Sequence, residues 1–498
     1  MKEKHIMDTR FAISEYHDAA EVTRQLDELI QKPLYSISPK RLKQYEKEYY
    51  GEKCQKSKAM IEEARNIIPG GVQHNLAFNH PFPLVFTKAQ GAHLTDIDGN
   101  EYLDFLQAGG PTVLGSNPES VREQVFDVLN TCGPSTGLFH EYEYKLGKKI
   151  ADSVPTVDKF RMLNSGSEAC MAACRAARLA TGNKNIVKMG GAYHGWSDAL
   201  AYGIRVPGSK SILAEGVPNK MTKYTQEFFP NDLDSLERVL RCNKFRGGTA
   251  AVFIEPLGPE SGTRPLDKDF NKHVERLCRK YGAMFVFDEV VTGFRIGMAG
   301  AQGYFGVEPD LTIFGKAITG GYPGAGGVGG KYKVMQHFGA GLDSGSGKKI
   351  KKALVGGTMA ATPLSCVAGY YTLEEIDRTN ACQVAGQMGD LLTKGLQDLV
   401  KKYNLPFVVF NQGSICHLDN AGTMHYAINW SKPWTIPSVL KETSVRKKEM
   451  EHIGAAYMAE GIVTLAGSRL YTSAAYTPEL IQDALNRFER VFANCVKL

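Results

Sequence analysis

The chain has 498 residues, 43% of them hydrophobic and 22% charged, with a formal net charge of +6 at pH 7. That length suggests about three structural units, and the balance of apolar and charged residues is that of an ordinary soluble globular protein. No basic run interleaved with aromatics occurs, and no apolar stretch approaches the ~18 residues of a membrane span, so neither nucleic acid nor membrane is expected as a partner.

The opening MKEKHIMDTRF carries acids early and has no apolar core, so no secretory leader is expected. The ten cysteines include no CxxC pair, which suggests reduced thiols in a cytoplasm and no structural metal. Residues 1–68 are polar and rich in Tyr and Lys, with helical patterns in EVTRQLDELI and KAMIEEARNII. They read as an N-terminal helical extension that packs on the body or on a partner subunit. Pro69-Gly-Gly-Val72 ends that pattern. PLVFTKAQGAHLTDIDGNEYLDF then alternates around Asp98-Gly99, the predicted turn of a hairpin in a small meander.

From residue 116 the pattern changes. SVREQVFDVLNTC and YKLGKKIADSV predict helices, KFRMLN a strand, SEACMAACRAARLATG a helix and NIVKM a strand. LDSLERVLRC, TAAVFIEP, FNKHVERLCRKYG and AMFVFDE continue the alternation as helix, strand, helix and strand. Such alternation implies an α/β fold with a mostly parallel, helix-flanked sheet over residues 116–375. Residues 69–115 and 376–498, with strands in VVFNQGSICHLD and GIVTLAGSRLYTSAAYT, are expected to form a smaller α+β domain.

Asp288 stands at the end of the apolar run Ala283 to Phe287, and Leu311 to Phe314 delivers Lys316 into a glycine-rich turn. The two are 316 − 288 = 28 residues apart, and both fall at strand ends, where open α/β sheets bind ligands. An acid and a lysine presented in this way suit pyridoxal 5′-phosphate: the lysine forms a Schiff base, and the acid keeps the ring nitrogen protonated. Taken singly, each has a commoner explanation, an acid closing a strand and a lysine on a surface loop. Asn164-Ser-Gly-Ser-Glu-Ala169 joins a predicted strand to a helix, a place where backbone amides cradle phosphate and also where serine simply caps a helix.

Other motifs fail. Gly324-Ala-Gly-Gly-Val-Gly329 satisfies GxGxxG, but Gly320, Gly321 and Pro323 interrupt the approaching strand and no apolar helix follows. GGVGGKYK has the wrong spacing for a P-loop. His140-Glu-Tyr-Glu-Tyr144 lacks the second histidine of a zinc protease. Cys495-Val-Lys-Leu498 puts Lys497 where a prenylation box needs an aliphatic residue.

DEVVTGFR followed by FGKAITGGYP resembles the class III (fold-type I) pyridoxal-phosphate aminotransferases, especially their glutamate-1-semialdehyde aminomutase branch. The resemblance implies a fold-type I transferase in which Lys316 is the Schiff-base lysine and Asp288 the partner of the ring nitrogen. It implies that Ser165, Gly166 and Ser167 form the phosphate loop. Tyr193, in Ala192-Tyr-His-Gly-Trp196, would cover one ring face and Val290 the other. Thr358, in Gly356-Gly-Thr-Met-Ala-Ala-Thr-Pro363, would reach the phosphate of a neighbouring subunit, which makes the expected assembly a homodimer with a shared active site. Thr362 replaces the family's asparagine in that segment.

The positions that face substrate depart from the aminomutase pattern. Aminomutases carry an arginine in NSPVRAF, where this chain has Gln73-His-Asn-Leu-Ala-Phe78, and EPVAGN and FEAGFTS correspond to Glu255–Glu260 and Gly467–Ser473. Glu260 and Arg469 instead resemble the glutamate–arginine switch of ornithine- and 4-aminobutyrate-type members, in which the arginine binds the α-carboxylate of 2-oxoglutarate. The expected activity is transfer of an amino group from a β- or ω-amino donor to 2-oxoglutarate. The alternatives are an aminomutase or racemase on the same scaffold and, third, a non-catalytic binding protein.

Overall fold

The computed structural model describes residues 11–339 and 350–498. The first ten residues, where no leader is expected, lie outside them. Seven strands form the principal sheet: β1 (Lys159–Leu163), β2 (Asn185–Met189), β3 (Thr225–Phe228), β4 (Thr249–Ile254), β5 (Met284–Asp288), β6 (Leu311–Gly315) and β7 (Gly326–Gly330). Their spatial order is β1-β7-β6-β5-β4-β2-β3. The pairs β6–β5, β5–β4, β4–β2 and β2–β3 are parallel, while β7 runs antiparallel to both β6 and β1. Every residue of β2, β4 and β6 is buried, as a parallel sheet covered on both faces requires.

Strand β7 is where the sequence reading fell short. No strand was expected from its glycine-dense sequence, yet GGVGG is an internal strand. A β-carbon on Gly326 would collide with the Ser165 backbone, one on Gly327 with the Phe160 ring, and one on Gly330 with the Asp310 carbonyl. The neighbours leave no volume for side chains, so only glycine can pair at those positions. Val328 supplies the one side chain, and it is buried.

Helix α1 (Gly166–Thr181) follows β1. Ser165 caps it, its hydroxyl accepting the Glu168 amide at 3.3 Å, and Gly182 closes it at φ +72°. The buried face of α1 is Ala169, Cys170, Ala172, Ala173, Cys174, Ala176 and Ala177, small residues that let the helix lie close on the sheet. Helix α2 (Phe270–Tyr281) buries Phe270, Val274 and Cys278 before the chain turns at Gly282 into β5, and α3 (Pro363–Thr379) starts at its Thr362 cap.

Contacts gather the chain into two compact units. The first contains Glu119–Cys382 with Ala427–Thr435, including the whole principal sheet. The second contains Ala12–Pro118, Gln383–Tyr426 and Ile436–Leu498. Within it a four-stranded sheet holds the hairpin His93–Asp96 and Glu101–Asp104, turned at Gly99 with φ +90°. Residues 12–68 belong to this second unit. The helix Ala19–Gln31 packs Val22, Leu26 and Leu29 on Val408 and Phe410, and Tyr35–Ile37 pairs with Cys495–Lys497. Among the described residues no helix is long and apolar enough to cross a membrane.

Candidate active site

The carboxyl ends of β1, β2, β4, β5 and β6 each release a polar residue at one edge of the sheet, the edge at which open α/β sheets bind ligands. Asp288 is the last residue of β5, and Ile313 of β6 stands opposite it in register. Lys316 follows three residues beyond Ile313, opening a 3₁₀ turn over Lys316–Thr319. It is half-buried, and its backbone is left-handed at φ +46°, a conformation that a non-glycine residue holds only where its surroundings impose it.

Val290 ties these ends together. A β-carbon on Gly166 would lie 2.8 Å from Val290 Cγ2, and one on Gly315 would lie 3.0 Å from Val290 Cγ1. The valine therefore fills the space between the start of α1 and the end of β6, against glycine on both sides. Ser165 forms a bridge with Ala325, just before β7, so the α1 terminus is fixed to the same edge.

Asp288 is 5% exposed and has three donors around it. The Val290 amide donates to Oδ1 at 3.1 Å, the His194 Nδ1–H donates to Oδ2 at 2.7 Å, and the Cys170 thiol lies 3.6 Å from Oδ2. A carboxylate has about four lone-pair sites, so it retains capacity for a further donor. Burial lowers the His194 pKa against the opposing pull of Asp288, which keeps the imidazole neutral with Nδ1 as its donor nitrogen. His194 Nε2 is buried with no hydrogen-bond partner among the described residues. Cys170, His194 and Asp288 place their ligating atoms within 4.8 Å of one another, the spacing of a metal site. Burial first, and then the Asp288 charge, raise the Cys170 pKa far above its usual value, so the group is a thiol that donates to the acid and a poor metal ligand.

Tyr193 is 46% exposed while its neighbour His194 is buried, so the ring serves as an open shelf and not as core. Its amide donates to Glu255 Oε1 at 2.9 Å. Glu255, immediately after β4, also accepts the amides of Glu260 at 3.0 Å and Ser261 at 2.8 Å. Burial, with the charges of Asp288 and Glu260, pushes the Glu255 carboxyl up to about 8. Lys188 in β2 is also fully buried, its ammonium donating to the carbonyls of Ala192 at 2.7 Å and Tyr202 at 2.6 Å, and burial pushes it down to about 8. Neither Glu255 nor Lys188 was singled out from sequence. The signal was there, in an acid that directly follows the apolar run AAVFI and a lysine within NIVKM.

The residues fit a pyridine ring with a phosphate tail. A β-carbon on Gly195 would overlap Ser167 and one on Gly166 would overlap Val290, so both glycines allow close approach at the α1 terminus, a cradle whose first amides have no partner within the helix. The acid with spare acceptor capacity, the exposed tyrosine face, Val290 and the lysine at the next strand end lie around that cradle.

Thr358 is exposed, as is its neighbour Met359, and a β-carbon on Gly357 would strike the Asn164 amide of the phosphate loop. Glu260 has a left-handed backbone (φ +51°), and its carboxylate lies 4.0 Å from Arg205 Nε. Arg469 belongs to the second unit, where it opens the strand Arg469–Tyr471 and pairs with His417, so Glu260 and Arg469 stand in different units.

Residues 76–491 match the sequence family described as Aminotransferase class-III. The chain is 34% identical over 447 residues to a glutamate-1-semialdehyde 2,1-aminomutase 1 of Macrococcus caseolyticus, covering 87% of this chain and 97% of the relative. A glutamate-1-semialdehyde 2,1-aminomutase of Legionella pneumophila is 36% identical over 382 residues, 74% of this chain and 86% of the relative. The fold superposes on the crystal structure of an omega-transaminase from Sphaerobacter thermophilus with a TM-score of 0.77 at 26% identity, covering 90% of this chain and 99% of that one.

Proposed function

This chain belongs to the class-III aminotransferases, a family of pyridoxal-phosphate enzymes, and we propose that it transfers an amino group from a β- or ω-amino donor to 2-oxoglutarate. The observation that carries the reading is Glu260, a mostly buried acid held beside an arginine at the edge of the cofactor shelf. A site that alternates between a diacid and an amine without a second carboxylate must neutralise its own cation in one half of the cycle, because a buried unpaired charge is costly. Glu260 provides that acid. Arg469, at the place where the ornithine- and 4-aminobutyrate-type enzymes carry their carboxylate-binding arginine, is assigned the α-carboxylate of the oxo acid.

The bound cofactor supplies an electron sink for the carbon that bears the amine. The chain's own residues do the rest. Lys316 Nζ is the attachment point and carries the proton from the donor carbon. Asp288 keeps the proton on the ring nitrogen, and His194 and the Val290 amide hold that carboxylate oriented. Tyr193 and Val290 cover the ring faces, and Ser165, Gly166 and Ser167 hold the phosphate. Exposed Leu138, Phe139, Trp196, Leu354 and Met359 are large apolar side chains on the first unit, and they support a homodimer in which Thr358 serves the neighbouring site.

The names of the 34–36% identical relatives favour a second reading, an aminomutase on the same residues. A half-reaction separates the two. Enzyme in its pyridoxamine form is mixed with 2-oxoglutarate alone, and glutamate is expected in amounts equal to active sites. No glutamate, with glutamate-1-semialdehyde consumed, would give the second reading first place.

A further inference from the structure

The segment that carries Arg205 is unusually well anchored for a surface loop. Gly203 donates to the Lys210 carbonyl at 2.6 Å, and Gly191 donates to the Gly203 carbonyl at 2.7 Å. Arg205 itself donates from its amide to the Gly191 carbonyl at 3.0 Å. The half-buried Glu227 accepts the amides of Gly208 at 2.9 Å and Lys210 at 3.2 Å. Lys188 holds the Tyr202 carbonyl from beneath, and Trp430 Nε1 donates to the Gly208 carbonyl at 2.7 Å. Within this frame Arg205 adopts φ +62°, a left-handed state that is unfavourable for a non-glycine residue. The side chain thus fixed is nevertheless 64% exposed. A loop strained and pinned at its backbone, with its arginine head left open, is built to present that head.

What the head faces is equally specific. Glu260 Oε1 is 4.0 Å from Arg205 Nε, at the limit of an ion pair, and the Glu260 side chain is only 15% exposed. Both Arg205 and Glu260 act on the Tyr193 phenol, which also meets Ser167. Arg205, Glu260, the Tyr193 ring and Ser167 therefore lie in one neighbourhood. Glu255 ties two of them together by accepting the amides of Tyr193 and Glu260. With the guanidinium largely exposed and the two groups at the limit of an ion pair, the contact is weak, so a carboxylate able to engage the guanidinium fork with two parallel hydrogen bonds displaces it readily.

We propose that Arg205 is a substrate-binding, specificity-determining residue that takes a carboxylate of the acidic substrate, and that Glu260 is the internal stand-in for that carboxylate when an amine without it occupies the site. The inference rests on the aminotransferase reading for the identity of the acid. It assigns to Glu260 a cation partner inside its own unit, distinct from Arg469.

The test is binding of glutarate, a non-reacting dicarboxylate, to the holoenzyme, followed calorimetrically and by the cofactor absorbance. Arg205→Gln is expected to weaken glutarate by about tenfold or more, the range for a lost hydrogen bond to a charged group. Arg205→Lys, which keeps the charge and loses the fork, should restore part of that loss. Glu260→Gln, which removes the competing acid, should tighten glutarate. An unchanged glutarate affinity in Arg205→Gln, no rescue by lysine, or a wild-type holoenzyme that does not bind glutarate each overturns the proposal. If glutarate binding depends on Arg205 while 2-oxoglutarate yields no glutamate, the aminotransferase reading falls and the carboxylate site stands.

Discussion

Glu255 follows β4 and Asp288 ends β5, two acids at adjacent strand ends, 7% and 5% exposed. Burial does not distinguish them; their partners do. Glu255 accepts three backbone amides, from Tyr193, Glu260 and Ser261, and so fixes the loops that carry the tyrosine shelf and the acid beside Arg205. Asp288 accepts one amide, with an imidazole and a thiol completing its surroundings, and keeps room for a donor that comes from outside the chain. Equal chemistry at equal depth thus gives one scaffold and one acid with room for an external donor. A buried acid is assigned a role by counting what already fills its lone pairs.

That contrast can be broken experimentally. The reference point is Lys316→Ala, expected to abolish transfer while the purified protein keeps the cofactor's absorbance, since the phosphate loop and Asp288 remain. Full turnover in that variant would remove the lysine from the chemistry. Asp288→Asn should lose roughly 10²–10³-fold or more in kcat, the scale for removing one preorganised electrostatic partner of the reacting group. Glu255→Gln should act mainly through KM, because it disturbs loops and leaves the reacting atoms alone. Equal kcat losses in the two variants would erase the distinction drawn above. His194→Ala, which strips Asp288 of its ring donor, is expected to cost about tenfold in kcat with a shifted cofactor absorbance, in keeping with one lost hydrogen bond to a charged group.

The smallest effect is one of stability. The Glu255 carboxyl sits at about 8 in the folded chain against an ordinary 4.5, so it binds its proton more tightly when folded. Its contribution is complete below the ordinary carboxylate range and is lost as pH rises through about 8. Lys188, lowered from 10.5 to about 8, has the opposite sign: its contribution is present above the ordinary lysine range and is lost as pH falls through about 8. The interval below 8 therefore isolates the acid. Thermal unfolding followed from pH 5 to 8 should show the wild type losing Tm relative to Glu255→Gln, and parallel curves would mean that Glu255 is charged throughout.

The strand ends were legible because their apolar runs are dense. MFVFD and LTIFG announce β5 and β6, so Asp288 and Lys316 could be placed at one edge from sequence, and Ser165 could be placed at the start of a helix. Strand β7 was not legible, because its pattern records the bulk of its neighbours and carries no periodicity of its own. Glu255 was read only as the start of a motif, although it follows TAAVFI just as Asp288 follows MFVF. Arg205 gave no sequence signal at all. Its position depends on backbone hydrogen bonds to Gly191, Glu227 and Trp430 from distant parts of the chain, and local composition does not encode those.

Val290, wedged between Gly166 and Gly315, has one more consequence. Its two methyl groups act as a calliper, setting the distance from the anion cradle to the strand that presents the lysine. A larger residue at any one of the three positions would spread the jaws, and of the three only Val290 can be reduced in compensation, because the other two are already glycine. Volume gained at 166 or 315 is therefore expected to go with a smaller residue at 290. The length of molecule that fits the edge of this sheet is, in effect, inherited as a single three-residue trait.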